Sequence, residues 1–240
     1  MLRAILLLAG LCLSLQAAGQ APLARVFHEE NKDGSVLILA ENRGFVPYTI
    51  HLRAELRNMR SSLALPARLV VFPSKAPRPI VTFIPEKPWD NAWHYEFDAQ
   101  MGICTGNRPD TTYHYGLPFR KAGTLAIEVN TTPDSLNFYF KLPANSPVLA
   151  AREGIVAQIK ADVAKNTSES GNYIIVFHDD GSYAWYHYLR QQSATVAIGQ
   201  RVAKGELIGY TTAQKRLKPL WFSVLYPTDD GKKPVRVRFR

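Results

Sequence analysis

The stretch from Pro143 to Tyr210 constrains the fold more than any other part of the chain. It holds short runs rich in β-branched and aromatic residues, such as Gly154-Ile155-Val156 and Asn172-Tyr173-Ile174-Ile175-Val176-Phe177. Turn-forming residues separate these runs at close intervals: Asn145-Ser146-Pro147, then Asp179-Asp180-Gly181. Such spacing predicts a stack of β-hairpins. Three successive steps, Val196 to Gly199, Val202 to Gly205 and Ile208-Gly209, repeat an apolar residue followed by glycine. Each apolar residue can point inward while each glycine turns the chain.

The 240 residues suffice for one large or two small domains. Residues 1–19 read as a secretory signal: Arg3, an apolar run from Ala4 to Leu15, then Ala17-Ala18-Gly19 as a small-residue cleavage site. That run is short for a membrane span, and no later stretch reaches spanning length. The expected location is therefore outside the cytoplasm, periplasmic or extracellular. Cys12 falls inside the signal and lacks the preceding small residue of a lipidation box. The mature chain then keeps one cysteine, Cys104, so no intramolecular disulfide can form and the fold must rest on its core. A lone thiol in this setting reads as an inert buried side chain.

Residues 22–105 read as an immunoglobulin-like β-sandwich. Tyr48, Ile50, Leu52, Ala54 and Leu56 alternate with polar neighbours, the period of a half-buried strand, and His51 falls on its wet face. Val36 to Ala40, Leu69 to Phe72, Ile80 to Ile84 and the Trp93, Tyr95, Phe97 alternation add further short strands. No catalytic cluster stands out among them. Residues 20–34 are polar and read as a poorly ordered lead-in. Residues 106–114 are predicted to be a linker, in a Gly-, Asn-, Pro- and Asp-rich stretch without periodicity. Residues 115–240 form the second predicted domain.

The formal net charge is +9, and much of it falls late in the chain. A basic exported surface suits an anionic wall polymer or lipid headgroups, or simply keeps the protein soluble. Nucleic acid would match the charge, but the export signal argues against it. Val235, Val237 and Phe239 alternate with Arg236, Arg238 and Arg240, which predicts a terminal strand with one basic face.

From about residue 115 onward, the hairpin string resembles the β-sheet core of the lysostaphin-like (LytM-domain) zinc endopeptidases, which cut peptidoglycan cross-bridges. The segment Tyr115-Gly116-Leu117-Pro118-Phe119 is similar to one that often opens that core in secreted members. The resemblance implies zinc held by three side chains, with a fourth position open to water. It implies a His and an Asp on the strand before Pro147, a His just ahead of Leu189, and a His-x-His pair on a late strand whose imidazoles share one sheet face.

This chain departs from the pattern at each place. Tyr139 stands where the ligand Asp belongs, and no histidine occurs between His114 and His178. Tyr188 precedes Leu189, with His187 one position early, an offset that predicts the opposite strand face. Pro219 and Trp221 replace the His-x-His pair. His178, beside the Asp179-Asp180-Gly181 turn, and Asp134, after Pro133, read as turn residues. Cys104 has no partner in sequence that would make it a nucleophile.

The expected protein is all-β: an immunoglobulin-like sandwich followed by a lysostaphin-like antiparallel sheet, with no catalytic residues, no metal ligands and no cofactor. Tyr139, Tyr188, Trp221 and His187 are the groove residues to examine. Either these rings bind sugars or peptide stems, or they plug the cleft as core packing. The resemblance points to peptidoglycan or a wall hydrolase as partner. The competing expectation is an active wall metalloendopeptidase whose zinc ligands are rearranged, recruiting His187 and His114.

Overall fold

A computed structural model describes residues 23–104, 108–120, 127–132, 135–167, 171–212 and 220–240. The predicted signal segment, the middle of the Asn166–Gly171 loop, Asp134, Pro219 and three of the late basic residues (Lys215, Arg216, Lys218) lie outside the described residues. Among the described residues every regular element is a strand.

The first part of the chain supplies β1 (Ala24–Glu30), β2 (Val36–Asn42), β3 (Tyr48–Arg57) and β4 (Met59–Ser61). It continues with β5 (Ala67–Val71), β6 (Arg78–Pro85) and β7 (Ala92–Met101). These strands pair antiparallel into two sheets, ordered β1-β2-β6-β4 and β5-β3-β7. Ile38, Phe83, Ile50 and Leu52 are fully buried, as the alternation in β3 predicts for its own two. One expectation fails here. The polar lead-in is ordered as β1, paired with β2 along all seven residues from Ala24↔Asn42 to Glu30↔Val36. An edge strand needs a partner more than a hydrophobic face, so its backbone bonds set the structure where side-chain polarity suggested none.

The second part adds β8 (His114–Tyr115), β9 (Ile127–Thr132), β10 (Ser135–Phe140), β11 (Pro147–Leu149) and β12 (Gly154–Lys160). Next come β13 (Asn172–Phe177), β14 (Tyr183–Leu189), β15 (Arg201–Val202) and β16 (Leu207–Tyr210). Last are β17 (Leu220–Thr228), β18 (Gly231–Pro234) and β19 (Arg238–Phe239). An eight-stranded antiparallel sheet runs β15-β12-β13-β14-β17-β10-β9, with β18 beside β17. Small pairs β11-β16 and β8-β19 flank it, the latter parallel.

Period-two alternation sends the sheet's side chains to two different cores. Phe138, Phe140, Ala184, Tyr186, Phe222 and Val224 point down onto Tyr115, Val148, Ile208, Val235 and Val237. Ile175, Phe177 and Tyr183 point up and join Ile38, Ile50, Leu52 and Phe83 in a core shared with the first part of the chain. Gln158 Nε2 donates to the Tyr48 hydroxyl across that junction (3.2 Å). Cys104 is buried without a disulfide, and burial raises its thiol pKa.

The glycine steps are only partly as predicted. Gly199 and Gly205 turn the chain at φ of 87° and 85°. Gly209 does not turn: it lies inside β16, where an added Cβ would stand 3.3 Å from the Ser193 carbonyl oxygen. Close approach, rather than a left-handed backbone, explains a glycine at that position.

Candidate functional site

The upper face of the sheet carries the groove residues. Tyr139 on β10 lies directly opposite Trp221 on β17, and His187 on β14 lies opposite Trp221 from the other side. Trp221 therefore sits at the centre of a three-strand row. Its ring is nearly parallel to Tyr139 (centroids 6.4 Å apart, 19° between planes) and edge-on to His187 at 4.9 Å. Nε1 of Trp221 donates to Asn137 Oδ1 at 2.9 Å, which fixes the orientation of the indole.

Tyr188 reaches the same cluster by an irregularity. Tyr173 pairs with His187 and Asn172 with Leu189, leaving Tyr188 without an opposite residue, at φ 65°. This is a β-bulge: the extra residue keeps Leu189 in the lower core and re-aims Tyr188. The Tyr188 ring lies 4.5 Å from His187 and 6.0 Å from Trp221. The predicted separation of His187 and Tyr188 onto opposite faces is thus incorrect, because strict alternation does not survive a bulge. A tyrosine at positive φ costs on the order of 1–2 kcal/mol. Gly171 accommodates the bulge, since a Cβ there would stand 3.2 Å from both His187 Cε1 and Tyr188 Cδ1.

Sequence reasoning missed two neighbours. Tyr173 and Trp185 extend the aromatic row toward the shared core, with centroids 4.8 Å apart and Tyr173 5.8 Å from His187. The signal was present, since Trp185 and His187 alternate with Ala184 and Tyr186 and must share a face. Nδ1 of His187 and Nε1 of Trp185 are buried without a hydrogen-bond partner among the described residues. Burial, reinforced by Lys160, pushes the His187 pKa down to about 4, so its imidazole is neutral at pH 7.

The other predicted polar residues lie elsewhere. His178 is fully buried and turned away from the groove; its Nδ1 donates to the Glu153 carbonyl oxygen at 2.7 Å. Its backbone closes the Asp179–Gly181 turn through bonds with Ser182 and Gly181. His114 is exposed on β8, beside Arg238, and shares no ring contact with the groove residues. Below the turn, buried Arg152 bonds Asp180 through Nη1 (2.7 Å) and lies 4.1 Å from the Tyr113 ring. Asp180 also accepts the Asp110 amide at 2.9 Å, so this cluster ties the segment before β8 to the sheet.

The donor set does not fit zinc. One neutral imidazole stands among two phenols and an indole, and zinc takes thiolate, imidazole or carboxylate ligands converging on one point. Among the described residues no three His, Cys, Asp or Glu side chains form such a group. The site is an aromatic cluster on one face of the antiparallel sheet. Residues 137–232 match the family model described as Peptidase family M23. That match spans less than half of the chain and makes this stretch similar to the M23 family.

Among solved structures, a proposed glycyl-glycine endopeptidase lytM from Ruminococcus gnavus aligns at 15% identity and a TM-score of 0.38. That alignment covers 51% of this chain and 57% of the other, less than two thirds of its length. The catalytic domain of lysostaphin from Staphylococcus simulans aligns at 21% identity over 51% of this chain and 85% of that one, with a TM-score of 0.32. A zinc-containing peptidase from Vibrio cholerae aligns at 14% identity over 91% of this chain and 79% of that one, with a TM-score of 0.38. No curated protein matches the chain.

Proposed function

We propose that the protein is a noncatalytic M23-fold module of the bacterial cell envelope, exported to the periplasm or beyond, whose groove binds peptidoglycan. The observation that carries this reading is the packing of Tyr139, His187 and Tyr188 around Trp221, on the sheet face where the family resemblance implies metal ligands. Tyr139 and Trp221 are only partly buried, so part of each side chain is accessible to a ligand. Aromatic faces bind the apolar side of sugar rings, while the neutral imidazole and phenol hydroxyls offer hydrogen bonds. The same surface would let a wall-bound module dock a wall hydrolase and regulate it.

The test is a pull-down with purified cell wall. Trp221→Ala combined with Tyr188→Ala is expected to weaken binding about 10-fold or more, at about 1 kcal/mol for each stacking ring removed. Unchanged retention of the double variant would defeat the reading. So would stoichiometric zinc in the purified protein together with chelator-sensitive release of wall peptides, the result expected of a metallopeptidase with rearranged ligands.

A further inference from the structure

Away from the groove, the end of the chain builds a second surface. Val235 and Val237 are buried in the lower core and Phe239 packs edge-on to Phe138 and Phe140. Burial alternates along Val235–Arg240, of which only Arg238–Phe239 is regular strand, and it leaves Arg236, Arg238 and Arg240 exposed. Among the described residues, none of their guanidinium groups makes an ion pair or side-chain hydrogen bond, although the same chain pairs Arg25, Arg43, Arg53, Arg57 and Arg68 with carboxylates. Arg238 lies beside His114, whose carbonyl oxygen accepts from Lys204 Nζ at 2.6 Å, so a fourth cation borders the row. Among the described residues no carboxylate pairs with the three arginines; Glu153 instead accepts from the Tyr113 hydroxyl at 2.7 Å.

We infer that this arginine row is a docking strip for a linear phosphate-bearing polymer. Alternate residues of an extended segment are spaced by about 6.6–6.8 Å, an interval suited to successive charges of an extended chain, and the alternating burial of Val235–Arg240 follows that period. Guanidinium engages phosphate through two parallel bonds, which an ammonium cannot do. A lipid surface fits less well, because interfacial binding needs apolar side chains presented with the charge. Among the described residues the exposed large apolar side chains are Phe45, Leu63, Phe72, Trp89, Phe97 and Val129, none on this segment. The row lies with the lower core, on the opposite sheet face from Trp221, so its occupant would not compete for the groove. It stands independently of the groove reading.

The probe is linear inorganic polyphosphate, titrated into the full-length protein over a range of salt concentrations. Binding should fall as salt rises, with a logarithmic slope of about −0.7 to −0.9 per phosphate neutralised, by analogy with nucleic acid strands. Replacing Arg236, Arg238 and Arg240 by Gln should flatten that slope by about 2 and weaken low-salt binding at least 10-fold. The melting temperature should stay unchanged, because these guanidinium groups are unpaired in the fold. A control with equal charge removed elsewhere, Lys32→Gln, Arg60→Gln and Arg78→Gln, should bind like the parent. The proposal is overturned if the control loses as much affinity as the arginine variant, if the parent does not bind polyphosphate at low salt, or if phosphatidylglycerol vesicles are retained and polyphosphate is not.

Discussion

The two faces of the eight-stranded sheet are built to different standards. Below it, Phe140, Tyr186, Leu220 and Phe222 are fully buried, and the Tyr186 hydroxyl accepts the Ala151 amide at 2.7 Å. Above it stand an imidazole nitrogen and an indole nitrogen without partners, a tyrosine at positive φ, and partly open rings. Unsatisfied polar atoms and backbone strain both cost free energy, and within the strands of this sheet they fall on the upper face. Arg152 Nε and His178 Nε2, also without a hydrogen-bond partner, lie off the strands beside Tyr115 of the lower core. The lower face packs into one core, while the upper face divides between the shared core around Ile175, Phe177 and Tyr183 and the less well satisfied row around Trp221.

The contrast breaks most easily at the lower core. Phe222→Ala should cost about 3–5 kcal/mol, read as a fall in the denaturant midpoint, while Trp221→Ala next to it should cost clearly less and show instead as weaker wall retention. Equal destabilisation by both would erase the distinction between the faces. Arg152→Ala should follow at about 3 kcal/mol in the same denaturant measurement, because it strands the partly buried Asp180 carboxylate.

A pH experiment sharpens the comparison. Burial holds both His178 and His187 at a pKa of about 4, against an ordinary value of 6.5. Each binds a proton when unfolded and none when folded between those values, so stability falls as pH drops from about 6.5 to 4. Unfolding near pH 5 should take up about two protons from this pair, and His187→Gln should remove about one of them. A pH-independent difference between parent and variant would show that the groove imidazole is not held neutral. The smallest effect is expected at the bulge. Tyr188→Asn relieves the positive φ but forfeits ring packing, so its stability should change by only about 1 kcal/mol while wall binding falls.

Much of this architecture was legible in the chain. Alternation placed β3, β7 and the terminal valines, and turn residues marked the hairpins around β13 and β14. Tyr139 and Trp221 were expected on one face, and the sheet register sets them opposite each other. Two features left no readable trace. Strand β1 is held by backbone pairing, which barely marks the side-chain pattern, and the bulge at Tyr188 rests on a backbone conformation that tyrosine rarely adopts. That single inserted residue is why His187 and Tyr188, adjacent in sequence, both border Trp221.

The shared upper core has a practical consequence for anyone dissecting the molecule. Ile175, Phe177 and Tyr183 are sealed by side chains that arrive from before residue 102. A peptidase-like half produced alone would present that apolar patch to water and would self-associate. A chain nicked between Cys104 and Arg108 would instead migrate as one particle, its two pieces complementing each other without a covalent link.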